Sequence, residues 1–143
     1  MTLQRRAVGR GRWLAAFSAV IILIGCVLPW YRAGDAAGIP SVSVNAFEGT
    51  GILVFLAALA TLALVSLPFA MGDQPVVVDR WWAYVLFAGV ATVGLVIRIM
   101  DALGIGGGLA VMFPDRGLGT WVTAVGVFGL LVASIEMFGS RPD

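Results

Sequence analysis

The residues WWAYVLFAGVATVGLVIRIMD at positions 81–101 form a long apolar run that ends with two opposite charges. It contains one of the four apolar segments that fill most of the 143 residues, predicted at 13–31, 50–71, 81–100 and 119–138. Each segment has roughly 19–22 residues, enough to cross a hydrocarbon core of about 30 Å. The composition agrees, because 60% of the residues are hydrophobic and only 12% are charged. We therefore predict an all-α membrane protein, an antiparallel bundle of four transmembrane helices.

The four spans are predicted to form a single domain at 13–139, because too little chain remains for a separate soluble domain. Residues 140–143 are a short tail, and residues 1–12 form a basic segment without acids that carries Arg5, Arg6, Arg10 and Arg12. A cleavable export signal is the alternative, but the first apolar run is longer than a signal core and lacks a small-residue cleavage site. The basic segment therefore predicts a multi-pass protein of the cell membrane with both termini in the cytoplasm.

Aromatic rings stand at the ends of the predicted spans, where amphipathic side chains favour the boundary between lipid and water. The predicted interfacial anchors are Trp13, Trp30, Tyr31, Trp81, Trp82 and Trp121. In the first external loop, the alternation of polar and apolar residues at 41–45 is typical of a strand. It predicts either a short β-hairpin with residues 30–33 or an irregular loop.

The residue inventory excludes several classes of site. The chain has no histidine and one cysteine, Cys26, which excludes a Cys/His zinc site, a disulfide framework and a histidine-dependent nucleophile. The glycine-rich run at 104–108 fits neither glycine motif for nucleotides. The net charge of +1 gives no indication of a nucleic-acid partner. We therefore predict no cofactor, no metal and no nucleic acid.

Small and polar residues follow one face of several spans, as they do where membrane helices pack together. On the third span this face contains Arg80, Tyr84, Phe87, Ala91, Gly94, Arg98 and Asp101. The fourth span has Gly119, Val122, Gly126, Gly129, Ala133 and Glu136, and the first has Ala15, Ser18, Ile22, Gly25 and Pro29. If the third and fourth spans pack antiparallel through these faces, their cytoplasmic ends meet. We then predict an ion pair of Arg80 with Glu136, or a pair that uses Asp79.

Arg98 and Asp101 hold opposite charges three residues apart, near the external end of the third span. An arginine at the bilayer midplane costs about 2.5–3.5 kcal/mol, but Arg98 is near enough to the interface for its head to reach water. One interpretation is an interfacial anchor with a local ion pair between the two residues. The other is a fixed charge in an externally open vestibule that contacts a lipid headgroup, an anion or a partner protein.

Four short motifs resemble those of small bacterial four-span membrane proteins of uncharacterised function. Arg98–Asp101 is similar to the Arg-x-x-Asp that ends their third span, and Leu28–Trp30 is similar to the Leu-Pro-Trp that closes their first. Ser43–Gly49 resembles the approach to their second span, and Gly117–Trp121 resembles the start of their fourth. Ala102-Leu103-Gly104 follows Asp101 here, where relatives often have prolines. The resemblance implies this topology and no particular activity.

The layout is also similar, as an analogy of architecture, to that of claudins, which have a tryptophan-bearing first loop with strands. The paired loop cysteines of claudins are absent from this chain.

The sequence features are compatible with three kinds of function. We favour a non-enzymatic structural or accessory subunit that packs in the bilayer with other membrane proteins or with copies of itself. The alternative is a small transporter, channel or lipid-handling component, although the charged residues lie near the span ends and not at the midplane. An integral membrane enzyme would depend on external acids, namely Asp35, Glu48, Asp101 and Asp115.

Overall fold

Four long helices and a small sheet make up the structure. The computed structural model describes residues 9–33, 40–71, 81–102 and 115–139. The helices are α1 (Arg10–Val27), α2 (Gly51–Ala70), α3 (Trp81–Ala102) and α4 (Leu118–Gly139). The strands are β1 (Tyr31–Ala33), β2 (Val42–Val44) and β3 (Asp115–Arg116). Each helix is long and apolar enough to cross a membrane, so the chain is a multi-pass membrane protein built as an all-α bundle.

The helices form a ring in which α1 and α3 each contact both α2 and α4. The pairs run antiparallel: Trp81 at the start of α3 packs edge-on against Phe138 near the end of α4, with ring centroids 5.0 Å apart. The centre of the bundle is filled mostly by small side chains that let the backbones approach, and the fully buried ones include Ala15, Ala19, Ala58, Ala91 and Ala133.

The first span differs from its prediction at both ends. Helix α1 begins at Arg10 instead of position 13, and it ends at Val27 instead of position 31. Leu28 is already extended, with φ −68° and ψ 153°, because a residue that precedes proline avoids the helical conformation. Pro29 therefore follows the helix and does not lie in its last turn. The other three helices begin and end within about two residues of the predicted spans.

A three-stranded sheet with the order β2–β1–β3 covers one end of the bundle, which we call the sheet end. Strand β1 pairs antiparallel with β2, so that Tyr31 stands opposite Val44, and also with β3, so that Tyr31 stands opposite Arg116. The predicted pairing of strands within the first loop is therefore present, and the loop is not irregular there. Strand β3 was not predicted, because two residues are too few to show an alternating pattern.

The glycine face of α4 packs on α1, so it does not meet the condition set for the Arg80–Glu136 pair, which was that this face packs on α3. A Cβ atom added to Gly126 would lie 2.6 Å from Cγ1 of Ile22 and 3.0 Å from the main-chain oxygen of Ser18. Gly129 also lies against Ser18. The α1 residues that meet this face are buried and include Ala15, Ser18, Ile22 and Gly25. Glycines on α4 and small side chains on α1 let these two backbones come close.

Trp30 joins the sheet to the helices. Its ring is fully buried, and its Nε1 donates a hydrogen bond of 2.9 Å to the oxygen of Gly25. Its main-chain nitrogen donates to the oxygen of Val44 at 2.8 Å, and its main-chain oxygen accepts from the nitrogen of Gly117 at 2.6 Å. The same oxygen accepts from Oγ1 of Thr120 at 3.2 Å. Trp30 is therefore a core residue and not the interfacial anchor predicted, because its polar N–H group finds its partner inside the protein.

The other tryptophans lie on the surface. Trp13, Trp82 and Trp121 are exposed and Trp81 is half-buried, positions that an interfacial ring can use. Their contact with the boundary between lipid and water stays a prediction.

Candidate functional site

Arg98 and its neighbours form the candidate site, at the sheet end of the bundle. Arg98 is half-buried and lies about one turn before the end of α3. Its Cζ atom stands 5.2 Å from the centroid of the Tyr31 ring, a distance typical of a cation–π contact. The Tyr31 hydroxyl donates a hydrogen bond of 3.2 Å to the main-chain oxygen of Arg98. Tyr31 therefore joins β1 to α3 through two contacts with one residue.

These contacts also correct the prediction for Tyr31. Its side chain is only 5% exposed, so the ring is part of the protein interior and is not an interfacial anchor. The helix ends before Tyr31, and the chain turns back over the bundle as β1. That turn brings the ring beneath the guanidinium group.

The chain just before α2 supplies a second side of the site. A Cβ atom added to Gly49 would lie 3.0 Å from Nη1 and 3.6 Å from Cζ of Arg98, so the guanidinium group packs on the Gly49 main chain. Gly49 has a φ of +139°, which residues with a side chain rarely adopt. Both the backbone conformation and the nearness of Arg98 therefore favour glycine at this position.

Close packing between α2 and α3 sets the height of Arg98 on the bundle. A Cβ atom added to Gly94, one turn before Arg98, would lie 3.0 Å from Cγ2 of Val54 and 3.3 Å from the main-chain oxygen of Thr50. Thr50 precedes the first turn of α2 and makes no side-chain capping hydrogen bond. The start of α2 is thereby held beside the last turns of α3.

Two buried polar atoms of the site lack a hydrogen-bond partner within the described part of the chain. They are Nε of Arg98 and Oγ1 of Thr50. An unsatisfied buried group costs about 1–3 kcal/mol, and more when it is charged. The structure therefore keeps Arg98 in a position that its own described contacts do not fully satisfy.

The structure does not show the predicted ion pair between Arg98 and Asp101. The guanidinium group turns toward Tyr31 and Gly49, whereas the Asp101 side chain is exposed. Among the acids whose side chains the structure describes, none forms a salt bridge with Arg98. An exposed carboxylate gains little from such a pair, because water already solvates it well. The two charges therefore do not neutralise each other.

The predicted pair at the opposite end falls partly outside the described residues, which do not include Asp79 or Arg80. Glu136 is half-buried and lies near the start of α1, where a Cβ atom added to Gly11 would be 3.8 Å from its Cβ. Tyr84 is 1% exposed at this end, and its main-chain oxygen accepts a 3.2 Å hydrogen bond from Oγ of Ser134. Helix α1 therefore faces Glu136, and the pairing of Glu136 with Arg80 stays a prediction.

Acids do not cluster as metal ligands within the described ranges. No group of three or more His, Cys, Asp or Glu side chains is close enough there to hold an ion. Glu48 and Asp101 are exposed at the sheet end. Asp35, and the side chain of Asp115, lie outside what the structure describes. The arrangement of the four acids weighed for catalysis is therefore not defined, and the absence of enzymatic activity stays a prediction.

The sequence marks Arg98 as a candidate but does not indicate that Tyr31 and Gly49 are its neighbours. Tyr31 and Arg98 are 67 positions apart, and no local pattern links them. The position of Gly49 in the sequence is informative in one respect. A glycine directly before an apolar span can indicate a backbone conformation that residues with a side chain rarely adopt. That signal indicates a turn, but it does not indicate which side chain packs on it.

No family model, curated protein or solved structure matches this chain. The resemblance to four-span bacterial membrane proteins therefore stays a prediction, as does the analogy with claudins. What the site can do follows from its own geometry.

Proposed function

We propose that this chain is a non-enzymatic structural or accessory subunit that presents its sheet end to a partner in the membrane. The observation that supports the proposal is the way the sheet is attached to the helices. A single residue, Trp30, hydrogen-bonds through its main chain to β2 and to the segment that enters α4. The described parts of two loops that need only connect spans, at 30–33, 40–50 and 115–117, are thereby joined to each other.

Other contacts support a rigid platform. The main-chain nitrogen of Ala46 donates a 3.3 Å hydrogen bond to the oxygen of Cys26 at the end of α1. A Cβ atom added to Gly51 would lie 2.5 Å from the oxygen of Ala46, so the turn before α2 packs on the helix itself. A preformed surface binds a partner at a lower entropic cost than a flexible loop does.

Strand β2 supplies the face for a partner. It lies at the edge of the sheet, and Val42 and Ser43 are exposed. Edge strands carry main-chain groups that can pair with a strand of another chain. The partner proposed is therefore another membrane protein, or a second copy of this chain, that contacts β2.

The partner is tested by photo-cross-linking from defined positions after mild extraction. A photoreactive residue at Ser43 on β2 is expected to give one discrete adduct, heavier than the 15.0 kDa chain and of reproducible stoichiometry. The matched position is Phe128, which is 68% exposed on α4 and is expected to give no protein adduct. Recovery of the monomer alone, with no adduct at Ser43, would contradict the proposal.

We also propose that the chain lies in the cell membrane with both termini in the cytoplasm and the sheet end outside. The arginines at the start of α1, Arg10 and Arg12, support this orientation through the positive-inside rule. In a Cys26→Ser background, Ser43→Cys is expected to react with a membrane-impermeant maleimide in intact cells. Gly139→Cys, at the exposed end of α4, is expected to react only after lysis. The reverse labelling pattern would overturn this orientation.

A lipid-handling component is the second candidate, because no acid with a described side chain neutralises the positive charge of Arg98. Movement of lipids between the leaflets of reconstituted liposomes would favour it. Liposomes in which lipids, ions and small solutes all fail to move would exclude it and its transporter variants.

A further inference from the structure

We propose that the sheet end binds one zwitterionic phospholipid headgroup, with its phosphate on Arg98 and its ammonium group on Asp101. The inference goes beyond the accessory role proposed above. The headgroup site uses only residues of this chain, so it would bind the lipid whether or not a protein partner is present. It rests on two opposite charges that lie close together on α3 without pairing with each other.

The phosphate position follows from the surroundings of Arg98. The guanidinium group is held by the Tyr31 ring and the Gly49 main chain, neither of which supplies a negative charge. A guanidinium group binds phosphate oxygens with paired, charge-assisted hydrogen bonds. Because its neighbours already fix the side chain, little further rotamer entropy is lost when an anion binds.

The ammonium position follows from helix geometry. Asp101 lies three residues beyond Arg98, which corresponds to about 4.5 Å of rise along α3 and to the same general face. Its side chain is exposed. The anion site is therefore nearer the middle of the membrane, and the carboxylate is nearer the end of the helix. A headgroup that carries an ammonium group beyond its phosphate has its charges in the same order.

The acyl-chain position follows from the surface below the two charges. Ile97 and Val90 on α3 are 38% exposed, and Leu53 on α2 is 40% exposed. Leu53 lies at the contact between α2 and α3. A Cβ atom added to Gly94 on α3 would be 3.2 Å from the Cβ atom of Leu53. An apolar surface thus continues from the charged pair along the α2–α3 boundary, as a lipid tail requires.

Three lipids test the proposal on the unaltered full-length chain. The detergent-purified protein is titrated with dioleoylphosphatidylethanolamine, dioleoylphosphatidylglycerol or dioleoylglycerol, and bound lipid is counted by native mass spectrometry. We expect the ethanolamine lipid to bind most tightly, the glycerol phospholipid next and the phosphate-free lipid most weakly. Binding of dioleoylglycerol as tight as that of the ethanolamine lipid would overturn the proposal without any variant.

Variants then separate the two charges. Arg98→Gln is expected to weaken both phospholipids about tenfold, the scale of one charge-assisted hydrogen bond. Asp101→Asn is expected to weaken only the ethanolamine lipid, to the level of phosphatidylglycerol. The matched controls are Arg32→Gln and Glu48→Gln, which alter exposed charges at the same end and should leave all affinities unchanged. An equal loss in Arg98→Gln and Arg32→Gln would contradict the proposal.

The source of the headgroup and the proposed function are tested separately. Free phosphoethanolamine that binds as tightly as the lipid would overturn the assignment to a lipid. A chain that prefers the ethanolamine lipid but gives no adduct from Ser43 contradicts the accessory role alone. A chain that gives the adduct but shows no lipid preference contradicts the headgroup site alone.

Discussion

Replacement of Trp30 by alanine is expected to lower the free energy of unfolding by about 3–5 kcal/mol, the range for large aromatic residues in a core. The side chain is fully buried, so alanine leaves a cavity between the sheet and the ends of α1 and α4. The hydrogen bond from Nε1 to Gly25 is lost as well. The effect is measured by reversible unfolding of the purified protein in mixed micelles, followed by circular dichroism.

Two further variants show whether the burial of Trp30 is responsible. Trp121→Ala removes a ring of the same kind that is 60% exposed on α4, and we expect a change within about 0.5 kcal/mol. Trp30→Phe keeps most of the ring but removes the indole donor, and we expect a loss of about 1–2 kcal/mol. Similar losses for Trp30→Ala and Trp121→Ala would show that Trp30 does not hold the sheet in place.

Replacement of Gly126 by alanine is expected to destabilise the bundle by about 1–3 kcal/mol, the usual cost of overpacking. The added Cβ would lie 2.6 Å from Cγ1 and 2.9 Å from the main-chain nitrogen of Ile22. A backbone atom cannot rotate away as the end of a side chain can, so α1 and α4 must move apart. Unfolding under the conditions used for Trp30 measures the loss.

Gly89 offers a matched control on α3. Its position is exposed, and a Cβ atom added there would have no neighbour within 4 Å. Gly89→Ala is therefore expected to leave stability unchanged or to raise it by up to about 1 kcal/mol, through the higher helix propensity of alanine. If Gly126→Ala proved as harmless as Gly89→Ala, the close approach of α1 and α4 would be wrong.

Local patterns in the sequence predict much of the architecture. The length and composition of each apolar run predict a span, since crossing the hydrocarbon core requires about 20 residues whatever the rest of the chain does. The alternation at 41–45 is typical of a strand for a similarly local reason, and β2 lies within it at Val42–Val44. The small-residue faces of α1 and α4 are also visible as a helical period. The α1 face is buried from Ala15 to Gly25, and the α4 face is buried at Gly119, Gly126 and Ala133.

The candidate site was only partly predictable. Arg98 is conspicuous in sequence because a charge in an apolar span is costly. Its assignment to an ion pair with Asp101 relied on their spacing, which allows contact but does not require it. In the structure the guanidinium group instead faces Tyr31 and Gly49, which come from two different parts of the first loop.

Local patterns in the sequence predict the four apolar spans and the small-residue faces of α1 and α4, but they leave both a strand and an irregular loop open at 41–45. Three features depend on the folded chain: the glycine face of α4 meets α1, Trp30 is buried, and Tyr31 meets Arg98 across 67 positions. The physical reason is that lipid solvates every apolar face of a span about equally well, so hydrophobicity does not select a neighbour. That choice depends on how closely two surfaces fit together, and the fit exists only once both segments are folded.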